Sequence, residues 1–403
     1  MELKKRIFER AEHYFNYIVK IRRHLHQYPE LSFQEFDTTH YIEECLTNEG
    51  FQFEKPIETG TTGLLRNDPG MSDTVALRAD IDALPIEEKN EIEYASKNKG
   101  VMHACGHDAH TAALIGALMI LRDLQTEFNG DVKFIFQPGE EKLPGGAKKM
   151  IDSGVLEKPV PSLIIGQHVY PDLPAGKLGY RPGPYMASSD EVYITIKGKG
   201  GHGGIPHQTD DTVFFASQMI QSLQQIVSRK APPTIPTVLS FGKITGNGAT
   251  NVIPEEVYME GTFRTMDETW RAEAHALIRR IAENIVASGY DTQVDVSIIK
   301  GYPVLMNNED MTRKCMEYSE RLLGERNIET LDIRMTAEDF SYYTQKIPGV
   351  FYRLGVGNQS KGIESALHSS TFNIDEEALK TGMANLAWLT ISYLNDHNAG
   401  DTS

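Results

Sequence analysis

Apolar residues recur at helical spacing from the start of the chain, with Ile7, Phe15, Ile18 and Leu25 on one face. That spacing predicts an amphipathic helix to about Leu25, ended by Pro29. A second helix is predicted from Asp37 to Glu49, stopped by Gly50. Then short apolar runs end abruptly in polar residues. TVALR (74–78) leads into Asp80-Ile81-Asp82, VKFIF (132–136) into Gln137-Pro138-Gly139-Glu140-Glu141, and SLIIG (162–166) into Gln167-His168. An Ala/Leu-rich helix is predicted between the first two, from Asp108 to about Leu124. Strands alternating with helices imply an α/β domain with a mostly parallel sheet, in which ligands gather at the carboxyl ends of the strands.

The pattern changes at Arg181-Pro182-Gly183-Pro184, read as a linker. Beyond it come a strand (191–197), a helix (211–229), two strands (237–244 and 257–264), a helix (267–288) and a strand (293–299). The order β-α-β-β-α-β is the split βαβ, ferredoxin-like pattern of an α+β domain. Gly301-Tyr302-Pro303 marks the return to α/β alternation, with a helix near 310–323, a strand near 350–354 and a closing helix over 376–394. The expected architecture is one α/β domain, residues 1–183 and 300–403, interrupted by an α+β insert at 184–299.

Composition narrows the function classes. The 403 residues carry 40 Lys+Arg against 56 Asp+Glu, a net charge of −16 without a basic stripe, which disfavours nucleic acid as a partner. Charges every few residues near the N-terminus leave no apolar stretch of the length a signal peptide needs, and no run could span a membrane. Cys45, Cys105 and Cys315 are too sparse for a disulfide framework, so a cytoplasmic setting with reduced thiols is expected.

In that setting MHACGHDAH (102–110) stands out, with three histidines, a cysteine and an aspartate. Residues i and i+2 do not share a helix face, so Cys105 and His107 converge only in a turn, which Gly106 permits. The alternative is a helix start with Asp108 as N-cap and its polar residues exposed. Adjacent carboxylates point in different directions, so of Glu140 and Glu141 one can hold a metal while its neighbour faces a water; alone they would read as an exposed acidic turn. His168 and His368 would each read alone as loop histidines. Together these residues supply a thiolate, three imidazoles and a carboxylate, an inventory suited to two borderline divalent ions such as Zn²⁺ or Mn²⁺.

Nine ordered motifs carry a resemblance that spans essentially the whole chain. They are RRHLHQYPELSFQE (22–35), LRADIDALPI (77–86), MHACGHDAHTA (102–112), FQPGEE (136–141), GQHVYPDLPAG (166–176), GGHGGIPH (200–207), ATNVIPEEV (249–257), GTFRT (261–265) and LHSSTFNIDE (367–376). The chain resembles the M20 metallopeptidase and amidohydrolase family, within it the aminoacylase/hippurate hydrolase branch that includes auxin-conjugate amidohydrolases. The resemblance implies that Cys105, His107, Glu141, His168 and His368 are metal ligands and Glu140 the catalytic base. It implies that His202, Asn251 and Arg264 are lid positions serving the transition state and the substrate carboxylate. The wider family has His-x-Asp where this chain has Asp80-Ile81-Asp82, and typically a bridging aspartate where this branch has a cysteine. That departure leaves the bridging ligand open and casts Asp80 and Asp82 as orienters of the ligands. Two divalent ions per subunit are implied, Mn²⁺ first, with Zn²⁺ or Ni²⁺ as alternatives.

The implied reaction is hydrolysis of an N-acyl amino acid, with Glu140 taking a water's proton and returning it to the departing amine. His202, among Gly200, Gly201, Gly203 and Gly204, is the candidate donor to the oxyanion; the glycine run could otherwise be a flexible hairpin or a phosphate cradle, the latter disfavoured by the missing Gly-Lys-Ser/Thr ending. Arg264 offers a fork for a free carboxylate, or is an exposed surface arginine. A homodimer through the insert, with a free sheet edge as its surface, is expected. The alternatives are a dipeptidase or aminopeptidase, an N-acetyl-diaminopimelate deacetylase, and a non-catalytic metal- or metabolite-binding relative, which retention of Glu140 and five matched ligands disfavours.

Overall fold

Helix α1 (Glu2–Gln27) buries the predicted stripe, Ile7, Ile18 and Leu25 included, together with Arg22 and His26, whose burial the apolar pattern did not announce. These come from a computed structural model that describes residues 2–67 and 73–400. Helix α2 (Phe36–Asn48) follows, then a hairpin of β1 (Phe53–Ile57) and β2 (Gly60–Leu65) that the sequence pattern had left unassigned. Strand β3 (Thr74–Asp80), helix α3 (His107–Asp123) and strand β4 (Asp131–Gln137) come next. Every residue of β3 and β4 is buried, which is why both read as nearly continuous apolar runs. Helix α4 (Gly146–Asp152), strand β5 (Leu163–Pro174) and strand β6 (Leu178–Tyr180) complete this part. Strand β5 outruns the predicted 162–166, so His168 lies inside a strand and not in a loop after it.

The insert forms β7 (Asp190–Lys197), α5 (Thr212–Gln225), β8 (Thr237–Gly246), β9 (Glu256–Thr265), α6 (Glu268–Val286) and β10 (Gln293–Lys300). Helix α5 stops before the predicted 229, and Ile226–Lys230 forms a wider turn. The chain returns through α7 (Glu309–Leu323), β11 (Ile328–Thr330), β12 (Gly349–Gly357) and α8 (Ala378–Gly400).

Two compact units result, one of Met1–Gly183, Met306–Asp332 and Asp339–Ser403, the other of Pro184–Leu305 and Ile333–Glu338. The first holds an eight-stranded sheet in the order β1-β2-β4-β3-β5-β12-β6-β11, whose centre, β4-β3-β5-β12, is parallel. Parallel register aligns Asp80 with Gln137 and Arg78 with Gly166, so three strands deliver their polar ends to one edge. Helix α3, buried from His107 to Leu121, packs against α1 and α8. No helix among the described residues is long and apolar enough to cross a membrane.

The second unit is an antiparallel sheet in the order β8-β9-β7-β10, the ferredoxin-like arrangement, with α5 and α6 packed through Phe215, Met219, Trp270 and Ile278 onto Ile194, Met259 and Phe263. Where its chain enters and leaves, buried Asp190 accepts from Arg271 Nε (2.9 Å), His275 Nε2 (2.6 Å) and Gly301 N (3.1 Å). Arg271 Nη2 reaches Gly301 O at 3.0 Å, and Glu268 accepts from Val304 N at 2.9 Å. Arg271→Ala strands Asp190 without its guanidinium and is expected to cost about 3–5 kcal/mol, read by denaturant unfolding; a loss under 1 kcal/mol would refute the clamp. Burial raises the Asp190 carboxyl, but His275 and Arg271 outweigh it and hold it below its ordinary value. The stabilisation is therefore complete above about pH 4 and is lost as pH falls through the depressed value.

Candidate metal centre

Cys105 and His107 meet because Gly106 takes φ +79°, in the left-handed region. A Cβ there would lie 2.5 Å from Val169 Cγ2, so the turn is reserved for glycine. Helix α3 starts at His107, and both side chains are buried, which removes the exposed helix start. Asp108 is no cap either. It turns back to α1, accepting from Arg22 Nε at 2.7 Å and lying 2.8 Å from His26 Nδ1, which accounts for Arg-Arg-His-Leu-His in the first motif.

Four groups of metal-binding atoms gather at the strand ends, each within 4.8 Å: Cys105-His107-His168, Asp80-His107-His110, Cys105-Glu141-His368 and His107-Glu140-Glu141. Cys105 Sγ lies 3.4 Å from His168 Nε2, and Glu141 Oε1 lies 3.3 Å from His368 Nε2 and 3.9 Å from His107 Nε2. All five expected ligands, and the expected base beside them, thus lie in one cluster of the first unit.

The histidines are aimed. His168 Nδ1 donates to Val169 O at 2.7 Å, leaving Nε2 with a lone pair toward Cys105. His107 Nδ1 is held by Asp82 Oδ1 at 3.1 Å, while its Nε2 is buried without a hydrogen-bond partner. Glu141 Oε1 is likewise buried and makes no hydrogen bond, with only the imidazoles of His368 and His107 beside it. Orphaned acceptors facing one another at this density fit divalent cations, and carboxylate-backed imidazoles are what such ions favour. Asp80 is 2.5 Å from His110 Nδ1 and groups with His107 and His110, while Asp82 Oδ2 also accepts from Glu141 N at 3.0 Å.

The field of the cluster calls for positive charge. Burial alone would lower His107, yet Asp80, Asp82 and Glu141 push it up to about 10. Burial, then the charges of Glu141, Glu140 and Asp80, drive the Cys105 thiol well above its ordinary value. Burial and the Arg353 guanidinium hold His168 well below its ordinary value, which favours the neutral imidazole that metal binding requires. His368 takes φ +62°, one of two non-glycine residues described in the left-handed region, and its N–H bonds Ala104 O at 2.8 Å. Such strain at a cluster of this kind persists only where the surroundings over-determine it.

In the second unit, His202 and Asn251 are neighbours: Val252 pairs with His202 and Gly203 N donates to Asn251 O at 2.8 Å. His202 is exposed, and Gly204 N donates to its Nδ1 at 3.0 Å, so Nε2 carries the proton and is an outward donor. A Cβ at Gly200 would lie 2.6 Å from Ile253 O and one at Gly201 2.7 Å from Thr209 Cγ2, so these glycines serve close packing, not a phosphate cradle. Arg264 is half-buried on β9, donating to Met335 O at 3.1 Å; no carboxylate pairs with it among the described residues.

A match to Peptidase family M20/M25/M40 covers residues 76–390. The chain belongs to this family. It is similar to thermostable carboxypeptidase 2 of Saccharolobus solfataricus, 38% identical over 98% of this chain and 100% of that one. It is also similar to the N-acetylcysteine deacetylase of Bacillus subtilis, 39% identical over 94% and 97%. Among solved structures, a dinuclear metal binding peptidase of the M20 family from Bacillus subtilis superposes with a TM-score of 0.81 at 36% identity, covering 95% and 99% of the two chains.

This M20 chain also uses residues that the motifs did not single out. Buried Arg78 donates to Gln137 Oε1 (2.8 Å), Asp80 Oδ2 (2.6 Å) and Asp339 Oδ1 (2.7 Å), and Asp339 N donates to Glu140 Oε1 at 3.3 Å. His110 joins Asp80 to β5, since Val169 N donates to its Nε2 at 2.8 Å. A charged residue inside the apolar run TVALRAD was the available sign, because a buried guanidinium must be paired.

Proposed function

We propose that this M20 enzyme hydrolyses the amide bond of N-acyl amino acids bearing a free carboxylate, using two divalent ions held by Cys105, His107, Glu141, His168 and His368. The observation that carries this reading is that two adjacent carboxylates, both grouped with His107, are held by different neighbours. Glu141 reaches into the Cys105/His368 group, while Glu140 is steadied by the Asp339 amide. When bound, the ions would supply Lewis acidity and lower the pKa of a water. Glu140 is placed to take a proton from the attacking water and to deliver it to the departing nitrogen. His202, with Nε2–H outward, serves as donor to the tetrahedral oxyanion. Mn²⁺ is placed first, with Zn²⁺ or Ni²⁺ as alternatives, a thiolate with imidazoles suiting borderline ions.

Arg264 serves as the fork for the substrate carboxylate: it is half-buried, and among the described residues no carboxylate pairs with it and its one hydrogen bond runs from Nη1 to Met335 O. A carboxypeptidase and an N-acyl amino acid deacetylase break the same kind of bond, an amide whose nitrogen belongs to an amino acid with a free carboxylate. Acetyl, benzoyl and indoleacetyl amino acids, dipeptides and N-acetyl-diaminopimelate form the test panel, assayed with metal-loaded protein. Arg264→Ala is expected to raise KM about 10- to 100-fold for the carboxylates and to leave their amides unchanged. No turnover on any member would overturn the activity; equal KM changes for acids and amides would overturn the fork.

A homodimer through the second unit accompanies this reading. Its edge strand β8 is exposed from Lys243 to Gly246, with Ile244 54% exposed, an unpaired edge of the kind a second copy covers. The setting proposed for the enzyme is cytoplasmic.

A further inference from the structure

The segment Leu31–Glu35 has no part in the chemistry above, yet it is folded under the turn that carries Glu140 and Glu141. Glu35 is fully buried; its Oε1 accepts from Gly139 N at 2.8 Å, and its Oε2 has no hydrogen-bond partner. Phe33 takes φ +64°, the other non-glycine residue described in the left-handed region. Its ring fills the space where a Cβ on Gly139 would sit, 2.3 Å away, with Lys149 Nζ 3.7 Å from the ring centre. Gly139 itself is at φ +61°. Ser32 Oγ donates to Asp82 Oδ2 at 2.6 Å, the oxygen that also accepts from Glu141 N. Three residues of one strained segment therefore grip residues 139 to 141, directly or through Asp82.

We propose that Glu35 is a positioning residue: by accepting from Gly139 N–H it locks the left-handed turn from which Glu140 and Glu141 reach the metal-binding cluster. The proposal rests on the roles assigned to that pair above. Without this acceptor, the Gly139 amide is left buried and unsatisfied, and a glycine hinge one residue before the base is free to move. Displacements of about 1 Å at a reacting group can cost ~10²-fold in rate. The acceptor, not the charge, is what the turn uses. Burial and the Asp82 charge push the Glu35 carboxyl up to about 7.

The test compares metal-loaded Glu35→Ala, Glu35→Gln and Glu35→Asp on an N-acetyl amino acid from the panel, with bound metal and thermal midpoint measured in parallel. Glu35→Ala is expected to lower kcat about 10- to 100-fold with KM and metal content near wild type. Glu35→Gln, which keeps the acceptor, is expected within about threefold of wild type. Glu35→Asp keeps the charge but withdraws the oxygen, and is expected to lose about tenfold or more. If the alanine variant does not fold, the Gln/Asp order decides: Asp above Gln overturns the proposal, as does wild-type kcat in a folded Glu35→Ala. Glu140→Gln is run alongside. Its loss of activity with Glu35→Ala unaffected refutes the positioning role alone, whereas full activity in both refutes the reading beneath it.

Discussion

Glu140→Gln is expected to lower kcat by about 10²–10⁴-fold on N-acyl amino acids, with KM within a few-fold of wild type and bound metal unchanged. The substitution is nearly isosteric and keeps an oxygen able to accept from Asp339 N, the bond that is 3.3 Å long in the parent. Only the capacity to take and return a proton is removed, and the base acts only once the transition state forms. Glu141, which groups with Cys105 and His368, is left unchanged. Steady-state kinetics with elemental analysis checks both halves, and undiminished kcat would end the assignment. The same variant tests the dimer. Mixed with His202→Ala by subunit exchange, it is expected to regain activity, toward about a quarter of wild type, if His202 is supplied by the neighbouring subunit of a two-fold assembly. No recovery would assign His202 to its own subunit.

The parts of the fold legible in the sequence are those with one dominant cause. Strands β3 and β4 are buried on both faces, and their apolar runs say so. Helices α5 and α6 bury one stripe each, and that stripe has a 3.6-residue period. The hairpin β1–β2 gave no such sign, because FEKPI is an edge strand with an exposed Glu54 and Lys55. The metal-binding inventory was visible as a density of histidine and cysteine around a glycine. What orders it was not. Asp339 stands about two hundred residues after Glu140, and no local period links them. Ser32 and Glu35 lie in the motif RRHLHQYPELSFQE, yet only the folded chain brings them under residues 139 to 141. The Arg-Arg-His-Leu-His run is similar: Arg22 and His26 are one helical turn apart and meet Asp108, a long-range partner in α3.

Stripping divalent ions is expected to abolish turnover and to lower the thermal midpoint, with Mn²⁺, Co²⁺ or Zn²⁺ restoring both. The stability half follows from the site itself. Asp80, Glu140 and Glu141 each group with His107, whose Nε2 has no hydrogen-bond partner, and Glu141 Oε1 likewise makes none. Cations that bind only the folded arrangement stabilise it by about 2.7 kcal/mol at a hundred times the dissociation constant. Ligand deletions are expected to be unequal. Cys105 belongs both to the group with His107 and His168 and to the group with Glu141 and His368, whereas His168 belongs to the first alone. Cys105→Ala therefore weakens two positions and lowers bound metal further than His168→Ala, which spares the Glu141/His368 side. Elemental analysis after dialysis against a fixed free-metal concentration reads the difference. Equal losses in the two variants would place Cys105 at one position only, and activity surviving exhaustive chelation would refute the metal-dependent mechanism.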